Sequence, residues 1–134
     1  MSLGLLGGDS LPQKDYRCKA IEMFWASSSF VERFRYSTGR YRYTVILSPR
    51  YGLLLLDDFI NPDASTLGAK TLKERSDWAS KVISQMKDRL NMKQIEIAFF
   101  HTDHLHFELL APLIEILGIK VVFVDERPST SVER

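Results

Sequence analysis

The sequence predicts an α/β protein, a three-layer sandwich in which helices cover both faces of a short, mostly parallel four-stranded sheet of the Rossmann-like or flavodoxin-like type. Two observations support this fold class. Four short apolar runs alternate with segments of helical spacing, which is typical of strands joined by crossover helices. The later runs are apolar on both sides, as expected for strands that helices cover on both faces. The predicted strands span residues 3–7, 43–47, 95–100 and 119–124.

The connecting segments carry signals for where helices begin and end. Apolar side chains follow helical spacing within residues 17–38, where residues 27–29 offer an N-cap to a second short helix. Gly39 is expected to end this second helix in the left-handed conformation. Thr71 and Glu74 form a capping box at the start of a long helix. A last helix is predicted over residues 103–117. Helices between successive strands favour parallel pairing.

Size and composition indicate one domain in a reducing compartment. A single domain is expected over residues 1–125 of the 134, followed by a flexible polar tail over residues 126–134. The single cysteine, Cys18, cannot form an internal disulfide, which favours a cytoplasmic location. No apolar run is long enough to cross a membrane, so no membrane partner is predicted. The net charge of +1 gives no global field that would attract nucleic acid.

Ligands of parallel α/β sheets bind beyond the carboxyl ends of the strands, where neighbouring loops diverge. If the first strand is central and the next two lie beside it, residues 7–14, 48–52 and 101–103 converge on one crevice there. Residues 53–56 are interpreted as an apolar plug of the core, and residues 57–69 as a long acidic loop that flanks the crevice. The candidate site residues are Ser10, Lys14, Ser48, Arg50, Gly52 and His101.

Each candidate has a chemical role and a structural alternative. Lys14 and Arg50 are candidates for phosphate binding, because an ammonium and a guanidinium both pair with anionic oxygens. Ser48 precedes a proline, which keeps it extended at the strand end with its hydroxyl facing a ligand. Lys14, Ser48 and His101 are the candidate catalytic residues. In the alternative, Ser48 caps the strand, His101 bonds to backbone and both cations are solvated.

The histidines and the cysteine do not predict a metal or cofactor site. His104 and His106 are two residues apart on a predicted helix, so they point to different faces and do not easily share one ion. No Walker loop or dinucleotide fingerprint occurs, and no cofactor is predicted. Cys18 lies on the predicted first helix and is expected to be a buried side chain rather than a nucleophile.

A second candidate surface interleaves cations with aromatic rings. Arg40, Tyr41, Arg42 and Tyr43 follow one another in the chain, a composition typical of surfaces that stack bases and contact phosphates. The alternative is strand alternation, in which Tyr41 and Tyr43 lie on the same face and Arg42 is solvated. This surface is expected at the edge opposite the carboxyl-end crevice.

Several segments together resemble an uncharacterised family of small α/β proteins from bacteria, archaea and phages. The family pattern has Cys-[Ser/Thr]-x-x-Lys after the first strand, then Ile-Leu-Ser-Ala-Lys-x-Gly-Leu, and then Thr-Leu. The corresponding stretches here are residues 10–14 (SLPQK), 46–53 (ILSPRYGL) and 66–67 (TL). The first of these patterns is also similar to one in a domain of archaeosine synthase, which acts on a modified deazaguanine base in transfer RNA. That resemblance implies base or nucleic-acid chemistry.

The chain departs from the family pattern at four places, one of which is Asp103 and His106 in place of a glycine and a tyrosine after the third strand. Ser10 occupies the cysteine position, so no thiolate mechanism is available there. Pro49 and Arg50 replace the Ala-Lys pair. Asp63 and Ala64 replace a Tyr-Asp pair before the Thr-Leu motif.

We expect from this sequence that the protein binds a nucleotide, a nucleobase or a nucleic-acid end at the carboxyl-end crevice, with a link to base modification. A first alternative is a non-catalytic module that binds protein or nucleic acid, of the kind that phages and mobile elements carry. A second is a small hydrolase or transferase that uses Ser10 or Ser48. The sequence does not decide whether the protein is an enzyme, and it is compatible with an oligomer.

Overall fold

The structure is α/β, with helices and strands alternating along most of the chain. The computed structural model describes residues 1–8 and 11–124. The predicted site residue Ser10 and the predicted tail over residues 126–134 lie outside these described residues. Within the described ranges, no helix is both long and apolar enough to cross a membrane. In chain order the elements are β1 (Ser2–Gly7), β2 (Cys18–Lys19), α1 (Ala20–Met23), α2 (Ser28–Arg40), β3 (Tyr43–Ser48), β4 (Gly52–Leu54), β5 (Phe59–Ile60), a 3-10 turn (Leu67–Ala69), α3 (Leu72–Arg89), a second 3-10 turn (Met92–Gln94), β6 (Ile97–His101), α4 (His104–Ile116) and β7 (Lys120–Phe123).

The main sheet has β1 at its centre. Its strand order is β4-β3-β1-β6-β7. β1 pairs in parallel with β3 on one side and with β6 on the other, which confirms the expectation of a central first strand. The composition of β1 explains this position, because all of its residues except Ser2 are buried. A strand that is buried on both faces belongs in the middle of a parallel sheet.

The sheet has five strands, so the prediction of four was wrong. The segment interpreted as a core plug contains β4, which pairs antiparallel with β3. Gly52 permits the reversal because it adopts a φ of +78°, a conformation that other residues take at a cost. Leu53 and Leu54 are buried. An apolar plug and a short buried strand have the same composition, and periodicity over so few residues does not separate them.

Alternating residues of the central strands face two separate cores. On one side, Leu5 and Phe100 pack with Trp78 and Val82 of α3 and with Leu110 of α4. Residues on the other side pack with α1 and α2, and this second core contains Leu6, Ile46, Met23, Phe24 and Phe30. The two cores give the expected three layers.

The helix signals were partly correct. The capping box of Thr71 and Glu74 is present at the start of α3 and is confirmed. The prediction that Gly39 ends the preceding helix is wrong, because α2 runs past it in ordinary helical geometry. The helix ends where the N–H of Tyr41 donates to the carbonyl of Ser37 at 2.8 Å. Residue 41 itself is extended, so the chain leaves the helix without a left-handed glycine.

The acidic segment over residues 57–69 is more ordered than predicted. It contains β5, which pairs antiparallel with β2, and a turn of 3-10 helix. Asp58 fixes this segment to α3 through two bonds to Arg89, with N–O distances of 2.5 and 2.9 Å. Its carboxylate also accepts the N–H of Leu55 at 2.9 Å. Asp58 therefore has a structural role.

Candidate functional site

The carboxyl ends of β3, β1 and β6 lie side by side. Gly7 of β1 is opposite Leu47 of β3, and Leu6 is opposite His101 of β6. The chain leaves β1 toward α1 and α2 on one face of the sheet, and it leaves β6 toward α4 on the other. The loops after these neighbouring strands therefore diverge, and α/β sheets bind ligands at such a point.

Ser48 stabilises the turn between β3 and β4. Its hydroxyl oxygen accepts the N–H groups of Arg50 at 3.3 Å and of Tyr51 at 3.1 Å. Its carbonyl accepts the indole N–H of Trp78 at 2.8 Å. The side chain is buried. These hydrogen bonds agree with the alternative interpretation of Ser48, in which the serine caps the strand end and does not face a ligand.

Gly52 and Gln85 form the second half of that turn. Gln85 Oε1 accepts the N–H of Leu53 at 2.8 Å, and Gln85 Nε2 donates to the carbonyl of Tyr51 at 3.0 Å. A Cβ atom on Gly52 would collide with Gln85 Oε1. The amide can therefore reach both backbone groups only because residue 52 has no side chain. The turn that carries Arg50 is held by α3.

An open groove of about 610 Å³ lies between the loop after β1 and the segment before the first 3-10 turn. Gln13 joins its two sides, since its Oε1 accepts the N–H of Asp63 at 3.0 Å and its Nε2 donates to the Asp63 carbonyl at 2.8 Å. The Asp63 carboxylate accepts the N–H of Ser65 at 3.2 Å and the Ser65 hydroxyl, and it lies 3.9 Å from Arg50 Nη1. We call this the carboxyl-end groove, and it is lined by Leu11, Gln13, Pro62, Asp63, Ala64, Ser65 and Thr66.

Lys14 follows Gln13 in the chain and lies close to Cys18. The Lys14 N–H donates to the carbonyl of Met23 at 3.0 Å, which holds the loop against α1. Burial raises the pKa of the Cys18 thiol and Glu22 adds to this effect, while the Lys14 ammonium opposes both. Cys18 is buried, as predicted, but it lies in β2 and not on a helix.

Asp103 and His106 form a pair in the first turn of α4. Asp103 Oδ1 accepts the N–H of His106 at 3.0 Å and lies 2.6 Å from its Nδ1. The hydrogen bond from His106 is the main reason that the pKa of Asp103 is lowered. Because the carboxylate lies at Nδ1, the neutral imidazole carries its proton on that atom and presents a lone pair at Nε2. The His106 side chain is 1% exposed, and its Nε2 has no hydrogen-bond partner among the described residues.

His101 ends β6 with its side chain on the α2 side of the sheet. The residue is 1% exposed, and its Nε2 lies 2.8 Å from the hydroxyl oxygen of Tyr41. Tyr41 reaches it by crossing β1 at Gly4, where a Cβ atom would collide with the tyrosine ring. The Tyr41 ring then stacks on Phe99, with centroids 4.6 Å apart and planes inclined by 14°. The ring of Tyr36 lies 5.3 Å from that of His101.

The expectation that Tyr41 and Tyr43 share a face is wrong. β3 begins at Tyr43, so strand alternation does not extend back to Tyr41. Tyr43 packs on the α3 side, and its hydroxyl donates to Gln94 Oε1 at 3.4 Å. Arg42 lies 5.5 Å from the Tyr43 ring, and its N–H donates to Ser2 Oγ at 3.4 Å.

Tyr41 borders a second open groove of about 590 Å³, on the face of β6 and β7 that lies beside α2. The guanidinium of Arg40 lies over the ring of Tyr36 at 3.9 Å. We call this the aromatic groove, and it is lined by Ser2, Tyr36, Arg40, Tyr41, Ile97, Phe99, Val122, Phe123 and Val124.

The structure divides the predicted site residues between the two grooves. Arg50 lies beside the carboxyl-end groove, with Ser48 and Gly52 in the turn that carries it. His101 joins Tyr41 at the aromatic groove. In the described part of the chain, no three His, Cys, Asp or Glu side chains come together in a way that could hold a metal ion.

Sequence analysis missed two parts of these sites. The Asp103 and His106 pair has a visible signal, an N-cap aspartate followed three residues later by a histidine, but His104 and His106 were considered as metal ligands and not as catalytic bases. Tyr36 and Phe99 have no sequence signal, because they meet Tyr41 only in the folded chain.

Comparison with known protein families identifies the family of this chain. A model described as a family of unknown function (DUF6884) matches residues 8–123. No curated protein and no solved structure matches. The match covers most of the chain, and the expectation of an uncharacterised family is confirmed. The protein belongs to DUF6884, a family of unknown function.

Proposed function

We propose that the protein binds a nucleotide, a nucleobase or a nucleic-acid end in the carboxyl-end groove. The observation that carries the proposal is the position of this groove. It is lined in part by the loop after the central strand, and parallel α/β proteins hold their ligands among the loops that follow the strands. Its volume of about 610 Å³ is adequate for a nucleotide-sized molecule.

Two cations beside the groove support an anionic ligand. Arg50 is more than half exposed and contacts Asp63 only at 3.9 Å, so its guanidinium can turn to a phosphate at little cost. Lys14 lies on the same loop as the groove residues Leu11 and Gln13. An ammonium and a guanidinium both pair with phosphate oxygens.

The polar groups of the groove support recognition of a base. Ser65 and Thr66 carry hydroxyl groups there, while Leu11 and Pro62 offer apolar surface for a flat ring. The similarity of the segment over residues 10–14 to a pattern in a domain of archaeosine synthase adds support for a base as the ligand. A small polar set on an apolar wall is the usual composition of such sites.

The proposal is tested by thermal unfolding in the presence of nucleosides, nucleoside monophosphates and inorganic phosphate. A ligand at one hundred times its Kd stabilises the folded state by about 2.7 kcal/mol, which for a domain of this size raises the Tm by about 10 °C. Arg50→Gln should weaken the monophosphates more than the nucleosides. Lys87→Gln is the matched control, because it removes the same charge from an exposed position near the carboxyl end of α3.

The comparison of the two variants shows whether Arg50 itself binds the phosphate. Stabilisation by monophosphates that Arg50→Gln reduces and Lys87→Gln leaves unchanged supports the proposal. No stabilisation by any nucleoside or monophosphate at millimolar concentration contradicts it. Equal losses in both variants contradict it as well, because the cation would then act through net charge alone.

A hydrolase or transferase activity is the second candidate, and the Asp103 and His106 pair favours it. A carboxylate on Nδ1 and a lone pair on Nε2 are what a general base for a serine nucleophile requires. The predicted nucleophiles are Ser10, which lies outside the described residues, and Ser48, whose hydroxyl accepts two turn amides.

A fluorophosphonate probe tests this second candidate. A bond forms between the serine oxygen and phosphorus, fluoride leaves, and the serine proton passes to His106. Peptide mass spectrometry should find one labelled serine in the native protein, and much slower labelling in His106→Gln and Asp103→Asn variants that retain a cooperative thermal transition. Absence of labelling in the native protein contradicts the activity.

A further inference from the structure

One half of the sheet is less covered than the rest on the α2 side. α2 packs against β1 and β3, while side chains of β6 and β7 on that side remain partly exposed. Ile97, Phe99 and Val122 are half-buried there, whereas Ala98 and Phe100 on the opposite face are fully buried. The aromatic groove follows this half of the sheet, from Ser2 near the amino ends of the strands to Val124 at the carboxyl end of β7.

The aromatic rings of this groove are held in place by the fold. Tyr41 is fixed by its contact with Gly4 below, by the stack on Phe99 and by the hydrogen bond to buried His101. Tyr36 is 42% exposed and lies under the Arg40 guanidinium. Rings that are already ordered lose little conformational entropy when a flat ligand stacks on them.

Positive charge is concentrated in the segment that borders this groove. Between residues 31 and 42 there are four arginines against Glu32 alone, an excess of +3, whereas the whole chain carries +1. Arg33, Tyr36 and Arg40 recur at helical spacing on one stripe of α2. The backbone of Arg42 contacts Ser2 at the amino end of the groove, while its guanidinium lies beside the Tyr43 ring on the α3 side.

We propose that the aromatic groove binds a single-stranded nucleic acid. Unpaired bases stack on Tyr36 and on the Tyr41 and Phe99 pair, and phosphates contact Arg40. Aromatic rings that stack bases beside a cationic rim are the common design of proteins that hold single strands. The positive rim favours this polyanion over an apolar peptide or a second copy of the chain, which would bring the same charge to the interface.

This inference is independent of the carboxyl-end groove. Arg50 lies in the turn after β3, and its change to Gln leaves every residue of the aromatic groove in place. Arg50→Gln tests nucleotide binding without changing the aromatic groove. Either proposal can therefore fail in its own experiment without affecting the other.

Fluorescence anisotropy with labelled oligouridylate and oligothymidylate of about ten nucleotides tests the inference. Arg40→Gln should lower the slope of log Kd against log salt concentration by about one, since one phosphate contact is lost. Tyr36→Leu should weaken binding by about tenfold through loss of one base stack. Both residues are exposed, so both variants should fold, which circular dichroism checks.

Lys87→Gln again provides the control, with an equal charge change on the opposite side of the sheet. Normal binding by this variant, with the two losses above, supports the inference. No saturable binding at low salt overturns it, and so does an equal loss in Arg40→Gln and Lys87→Gln. A dimer in light scattering that Val122→Asp dissociates, without oligonucleotide binding, would assign the face to a second copy and would also overturn it.

Discussion

Adding one methyl group at Gly4 tests the packing that forms the aromatic groove. In Gly4→Ala the new Cβ lies within 3.0 Å of Tyr41 Cε2 and 3.1 Å of Ser37 Oγ, and it collides with Tyr41 Cδ2. Carbon atoms pack at about 3.5–4.0 Å, so the ring must withdraw. The Phe99 ring, stacked on that of Tyr41 at a centroid distance of 4.6 Å, limits this movement.

The expected cost follows from these contacts. Overpacking of this kind costs about 1–3 kcal/mol. Loss of the Tyr41 to His101 hydrogen bond adds about 0.5–1.5 kcal/mol, because His101 is buried. We therefore expect Gly4→Ala to lower the free energy of unfolding by about 2–4 kcal/mol.

A double-mutant cycle in urea, followed by circular dichroism, separates the collision from other effects. In a Tyr41→Ala background the ring is absent, and the same Gly4→Ala change should cost less than about 1 kcal/mol. An equal cost in both backgrounds would refute the reasoning, since the methyl group would then be acting through β1 itself or through Ser37.

Three further predictions concern the rest of the structure. Gly52→Ala should cost about 2–4 kcal/mol in urea unfolding, and about 1–2 kcal/mol in a Gln85→Ala background, where only the left-handed conformation is penalised. The bond from Arg89 lowers the pKa of Asp58, so this carboxylate stabilises the fold above its unfolded pKa of about 3.9, and the contribution is lost as pH falls through the lower folded pKa. In Asp58→Asn, the free energy of unfolding should therefore decrease less than in the native protein as the pH falls from about 5 to the folded-state pKa of Asp58. Native Cys18 should react slowly with a thiol reagent at neutral pH, because burial raises its pKa, and rapidly in urea; fast native labelling would contradict its buried position.

Local signals predicted the parts of the fold that local chemistry determines. The capping box at Thr71 and Glu74 needs only four residues to form, and the sequence shows all of them. This feature does not depend on where distant residues lie. The central position of β1, by contrast, was only assumed from the commonest strand orders of such sheets, and the structure shows it.

The remaining features depend on tertiary contacts. Leu53 and Leu54 are apolar whether they fill a core or pair as a strand, and the choice is made by Gln85 and Gly52 at the turn. Tyr41 looks like a strand residue in the sequence. The absence of a side chain at Gly4 lets it cross the sheet instead.

The candidate sites were predicted at the level of loops, but not of contacts. The loop after β1 and the turn carrying Arg50 were named in advance, and one groove lies beside them. The prediction placed His101 in the same crevice. A side chain at a strand end still points to one face of the sheet, however, and that of His101 points to the α2 side, where it contacts Tyr41. Distances of this kind have no counterpart in spacing along the chain.

The indole of Trp78 provides an internal optical probe of the carboxyl edge of the sheet. Trp78 is 4% exposed, hydrogen-bonded to Ser48 and in edge contact with His106, whereas Trp25 is 40% exposed. Trp78 should fluoresce at a shorter wavelength than Trp25, because its indole is shielded from water. Iodide should quench the fluorescence of the exposed Trp25. Changes in the blue component would then follow events near the β3 turn and α4 without any attached label.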